Sequence, residues 1–147
     1  MKKILVLFSL GLTYLVMNAQ TAQPDSWKIT WNNKVILETS KVDEIANTSK
    51  IKSSDLKKDC FLEINYKEAD AKKEKEWIRS FMFMDESDNE LLRKDSTRDV
   101  KIVATDLKKL FGDKKKIKLY TIAIPADPNL AARVRVRRVH LCTMELE

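Results

Sequence analysis

Glycine is almost absent from this chain. Among 147 residues there are two glycines, three prolines, two cysteines and one histidine. Without a glycine-rich loop the backbone has no amide cradle for a phosphate, so dinucleotide and nucleoside-triphosphate loops are excluded. Turns that require positive φ must draw on Asn and Asp instead, and Asn32-Asn33, Asp88-Asn89 and Asp113 stand where such turns are needed. The single His140 constrains catalysis in the same way, because any Ser-His-Asp or Cys-His arrangement has to use it. No acid sits in an apolar setting that would mark one half of a carboxylate pair. The chain therefore reads as a non-enzyme that needs no cofactor. A hydrolase of unusual design is the weakest of the alternatives.

What is present begins with a leader. Lys2 and Lys3 precede an apolar run from Ile4 to Met17, and Ala19 offers a small residue for cleavage ahead of Gln20. That order is a secretory signal peptide, residues 1–19. An uncleaved anchor is the alternative, since Met17 is a poor residue two before the cut. The run is short for a membrane span, so none is expected after cleavage. The destination is the periplasm or the external medium, where disulfides form. Residues 20–26 are a polar, flexible lead-in, and residues 27–147 have the length of one domain with its own core.

Period-two patterning dominates that domain. Trp27 to Trp31 alternates large apolar with polar residues, Asn32-Asn33 is a two-residue turn, and Val35 to Thr39 returns as a second strand. Residues 40–50 are polar and irregular. Cys60, Leu62, Ile64 and Tyr66 share one face of the next strand. The charge run 67–76 reads as a solvated loop with room for a helical turn. Trp77, Arg79, Phe81 and Phe83 lie on one face of a strand whose other face carries Ile78, Met82 and Met84, so it should be central and covered on both sides. A turn over 85–90 leads back through Leu91 to Arg93. Asp85, Ser87 and Asn89 have the opening spacing of a calcium loop, but Glu90 replaces the required glycine, and a polar hairpin tip explains the same residues. Val100 to Val103 and Lys116 to Ile124 are further strands, the latter stopped by Pro125 and Pro128. Arg133 to Leu146 reads as one long final strand, with Arg137-Arg138 as the expected bulge.

One internal echo organises these pieces. Ile51 to Lys58 (IKSSDLKK) and Ile102 to Lys109 (IVATDLKK) align without gaps, and a strand follows each. Each predicts a short helical crossover that carries the chain from one sheet to the other. The fold class is all-β: a two-sheet β-sandwich of seven or eight strands, Ig-like or jelly-roll-like, with one or two such crossovers.

Three side-chain groups are candidates for function. Lys and Arg number 28 against 22 Asp and Glu, a net charge of +6, and the positive residues gather late. Arg133, Arg135, Arg137 and Arg138 lie in the last segment, three of them alternating with Val134 and Val136. On a regular strand this is a row of guanidinium groups suited to phosphate, sulfate or carboxylate. An acidic protein or an anionic cell-surface polymer is the expected partner. Nucleic acid is not, because no aromatic residues interleave with the arginines. The competing explanation is a charged edge that resists aggregation. Second, Cys60 and Cys142 suit a disulfide closing most of the domain, with two separate buried thiols as the competitor. Third, His140, Cys142 and Met144 share a face if the last strand is regular. With Cys60 they form a soft-ligand set for Cu(I), and a periplasmic copper carrier is the second functional class, although no second histidine exists. The expected function is an exported binding or structural module whose contact surface is the arginine row.

Overall fold

The computed structural model describes residues 23–56 and 59–147. The expected signal peptide lies outside the described residues. The lead-in is tied down at its end: the Asp25 carboxylate accepts from the Tyr66 hydroxyl and from the Ala69 amide, both at 2.8 Å.

Strand β1 (Ser26–Trp31) turns at Asn32-Asn33 into β2 (Lys34–Thr39), and both asparagines have positive φ, 48° and 67°. This is the mirror-image turn that matches the twist of a hairpin. The next strand, β3 (Thr48–Ile51), falls in the region expected to be irregular. Only Ile51 is apolar there, and the strand forms because it pairs in parallel with the last strand of the chain. Local pattern carries no trace of such a contact. A short 3₁₀ turn, Ser53–Asp55, then leads to β4 (Phe61–Lys67), whose Leu62, Ile64 and Tyr66 are buried.

Helix α1 (Ala71–Glu76) occupies the charge run and buries nothing; the Asp70 carboxylate caps it by accepting from the Lys72 amide. It runs directly into β5 (Trp77–Met84), which turns over Asp85–Asn89 into β6 (Glu90–Lys94). At that hairpin tip Asp85 Oδ1 accepts from the Ser87 and Asn89 amides and Oδ2 accepts from the Asn89 side chain. These bonds hold the carboxyl below its usual range. The acid closes a turn. Strand β7 (Asp99–Val103) enters α2 (Ala104–Phe111), followed by β8 (Lys116–Pro125), the one-turn α3 (Pro128–Ala131) and β9 (Val139–Leu146).

The strands form two sheets, ordered β2-β1-β4-β7 and β3-β9-β8-β5-β6. One hydrophobic core joins their facing sides. Ile29, Leu62, Ile64 and Ile102 come from the first sheet, and Phe81, Phe83, Ile117, Leu119 and Met144 from the second. Two layers around one core fit a sandwich. Both echoes fall where the chain changes layers, the first being described through Leu56. The 3₁₀ turn carries the chain from β3 to β4, and α2 carries it from β7 to β8. Leu107 and Phe111 of α2 plug the core between the sheets. Strand β5 is interior to its sheet, and Met82 and Met84 on its outer face are buried as well.

The last strand departs most from expectation. It begins at Val139, and residues 135–138 are in no regular element. Pro125 ends β8, and Asp127 caps α3 by accepting from the Asn129 amide, so the chain leaves the sheet and returns only at Val139. The bulge also lies elsewhere. Leu119 pairs with Cys142 and Tyr120 with His140, leaving Leu141 as the extra residue. A bulge places two successive side chains on one side of the sheet. Leu141 and Cys142 accordingly both enter the core.

Candidate functional site

The bulge dismantles the soft-ligand set. Cys142 and Met144 point into the core, while His140 lies on the outer face beside Tyr120, their rings edge-on at 5.4 Å. His140 Nε2 is 2.9 Å from the Thr143 hydroxyl, and its Nδ1 has no partner. Burial pushes its pKa below the usual 6.5, partly offset by the Glu44 carboxylate. Among the described residues no group of three His, Cys, Asp or Glu side chains is placed to hold a metal.

The disulfide is not formed. Both cysteines are free: Cys60 is half-buried before β4, in a hollow lined by Trp31, Asn32, Lys34 and Asp55, and Cys142 is buried in β9 of the opposite sheet. Cys142 is fixed in β9 of one sheet while Cys60 leads into β4 of the other, and the two are not at the Cα separation, within about 7 Å, that a disulfide needs. Burial raises the Cys142 thiol to about 11, so it stays protonated at neutral pH.

Arg133, Arg135, Arg137 and Arg138 are all exposed, on the connection that leads from α3 into β9. They do not form the row expected of a strand, because no ladder fixes alternate residues to alternate faces. Val136 is exposed with them. None of the four has a carboxylate within 4.0 Å among the described residues, whereas Lys28, Lys50, Arg93, Lys116 and Lys118 each do. The Arg138 guanidinium lies 5.2 Å from the Tyr120 ring.

The arginine segment closes one side of a cavity of about 230 Å³ at the end of the sandwich. The opposite wall is a polar cluster that the period-two pattern places but does not explain. Arg79 follows Trp77 and precedes Phe81 on the inner face of β5, where a hydrophobe would be ordinary. Its guanidinium is buried, donating from Nε (2.8 Å) and Nη2 (2.5 Å) to Glu68 Oε1 and from Nη1 (3.0 Å) to the Thr121 hydroxyl. It also stacks 3.7 Å above the Tyr66 ring, which in turn stacks on Trp27. Burial raises the Tyr66 hydroxyl, opposed by the nearby Arg79 charge. The side chains of Arg79 and Glu68 are 5% and 1% exposed, so this is a fully desolvated ion pair, and Glu68 Oε2 has no partner. Sequence reading missed Glu68, which sits at the start of a charge run that looks wholly solvated. The one available signal was an arginine among aromatic residues, which demands a buried partner.

Among the described residues no helix is long and apolar enough to cross a membrane. The chain matches no protein-family model, and no curated protein is significantly similar to it in sequence.

Proposed function

We propose that this protein is an exported binding module for an anionic partner, engaged through Arg133, Arg135, Arg137 and Arg138. The observation that carries this reading is the bunching of four exposed guanidinium groups, without a carboxylate partner among the described residues, on a segment held by no ladder. Guanidinium groups pair bidentately with carboxylate, sulfate or phosphate. An edge strand kept soluble by charge would explain arginines on a ladder edge, but these arginines lie outside any strand. Export is inferred from Lys2, Lys3, the apolar run Ile4–Met17 and Ala19. A binding role is favoured over a catalytic one because the sole histidine is walled in on the outer face, its pair being Thr143. Four and five strands suit the Ig-like sandwich in number better than the eight-stranded jelly roll, while the order β2-β1-β4-β7 is not that of an immunoglobulin domain.

The test is retention on an immobilised sulfated or carboxylated polysaccharide. The wild-type chain should be retained at low salt and released as salt rises, since the attraction is screened. Replacing Arg133, Arg135 and Arg137 together by Glu should abolish retention without altering the thermal transition, because none of the three is buried. Undiminished retention of that variant would refute the assignment of the surface.

A further inference from the structure

The cavity at the end of the sandwich adds a second element to that surface. We propose that it is a specific pocket for one acidic sugar unit, such as a uronic-acid residue at the end of an anionic polysaccharide. This deepens the function proposed above and rests on it. Arg135 and Arg137 line the cavity on one side and Lys73 on another, so the cations that would meet a carboxylate converge from two separate elements. Arg79 and Glu68 neutralise each other in the wall, and the Asp25 carboxylate, which also lines the cavity, offsets one of the three cations Arg135, Arg137 and Lys73, so the opening carries an excess of positive charge.

The non-ionic lining suits a sugar ring. Trp77 is half-buried and lines the cavity, with Lys73 Nζ 5.4 Å from its ring centroid. Indole faces bind the C–H side of a ring by the same contacts that hold other apolar surfaces. Val136, Val139 and Ala123 complete the apolar part. A volume near 230 Å³ lies just below the range of about 300 to 1,000 Å³ typical of drug-sized ligands, which matches a single ring. The Glu68–Arg79 pair leaves Glu68 Oε2 without a donor at the cavity wall, and buried carboxylate oxygens are rarely left so. Solvent does not reach that oxygen, so an enclosed water rather than the sugar ring is its fitting partner. A peptide terminus fits less well, because carboxylate ends of peptides are captured mainly by backbone amides, and the cations here are all side chains.

The experiment is a titration of the full chain with a uronic-acid trisaccharide, followed by tryptophan fluorescence and calorimetry. Its controls are the neutral trisaccharide of the same ring stereochemistry and an acidic tripeptide. The uronate should bind one-to-one and the two controls at least about tenfold more weakly. Ala123→Leu, which fills the cavity, should weaken the trisaccharide by about tenfold or more while retention on the long polymer stays as in wild type. Should that variant fold poorly, Ala123→Val, a smaller change at the same strand position that leaves every charge in place, provides the same comparison. Trisaccharide binding unaffected by both changes, or matched by the neutral sugar or the tripeptide, overturns the pocket. Retention of the long polymer with no trisaccharide binding also overturns it and leaves the arginine surface standing. Loss of both removes the broader reading as well.

Discussion

Arg79 is the residue on which the end of the core turns. An arginine on the inward face of a strand has to bring its own counter-charge, and Glu68 supplies it from the end of β4. Such a pair is a poor source of net stability, since desolvation of both ions offsets their attraction, but breaking it leaves one charge buried and alone. Glu68→Ala is therefore expected to destabilise the fold by about 3–5 kcal/mol, whereas the double change Glu68→Leu with Arg79→Met should be close to neutral. Urea unfolding of the single and double variants measures both. His140 provides a second residue-scale test. The groups facing it are Tyr120, Thr143, Glu44, Asp43 and Lys118. Its folded pKa lies below 6.5, so as pH falls through that value the unfolded chain takes up a proton that the folded one refuses. Stability is thus full above about pH 6.5 and declines below it until the folded pKa is reached. Unfolding midpoints compared between pH 7 and about 5 should fall less steeply in His140→Gln than in wild type, and parallel curves would show that His140 does not contribute.

At the scale of elements, the legible parts were those whose partners lie nearby in sequence. The β1–β2 hairpin was readable because Asn32-Asn33 is a local signal, and β4, β5 and β8 because their alternation faces a core on at least one side. The crossovers were readable because the same string occurs twice. Strand β3 was not, since its only stabilising ladder is a parallel one with β9 at the far end of the chain. The final strand misled for the opposite reason: Arg133 to Arg137 alternates perfectly with valine, yet Pro125 and Pro128 divert the chain, and the β8–β9 ladder stops at the Thr121–Val139 pair although β8 itself runs on to Pro125. The bulge at Leu141 was equally invisible, because three apolar or soft residues in succession do not reveal which of them is extra. That one residue decided the fate of the metal site. Gly112 shows how one local feature can govern an element. It ends α2 at φ 54°, ψ −113°, a conformation open essentially to glycine alone, and nothing but the Lys109 carbonyl at 3.6 Å would meet an added Cβ. Gly112→Ala should then cost about 1–3 kcal/mol through backbone strain without a steric clash. Thermal unfolding reads the loss, and an unchanged midpoint would show that the turn relaxes.

For the whole molecule, the two sheets form a scaffold whose charge is unevenly resolved. Lysines along the strands meet acids on neighbouring strands, as Lys28 does Glu38 and Lys116 does Glu145. Among the described residues the arginines after α3 meet none, and two of them, Arg135 and Arg137, line the cavity beside the Glu68–Arg79 pair. That juxtaposition of an exposed basic segment and a buried ion pair is what the proposed binding surface rests on. The most direct test is to record amide chemical shifts of the labelled chain while an acidic polysaccharide is added. Saturable shifts should concentrate at residues 133–138 and extend to Lys73 and Trp77 across the cavity. Saturable shifts confined to the outer face of the four-stranded sheet, or no saturable shifts at all, would contradict the assignment of that surface.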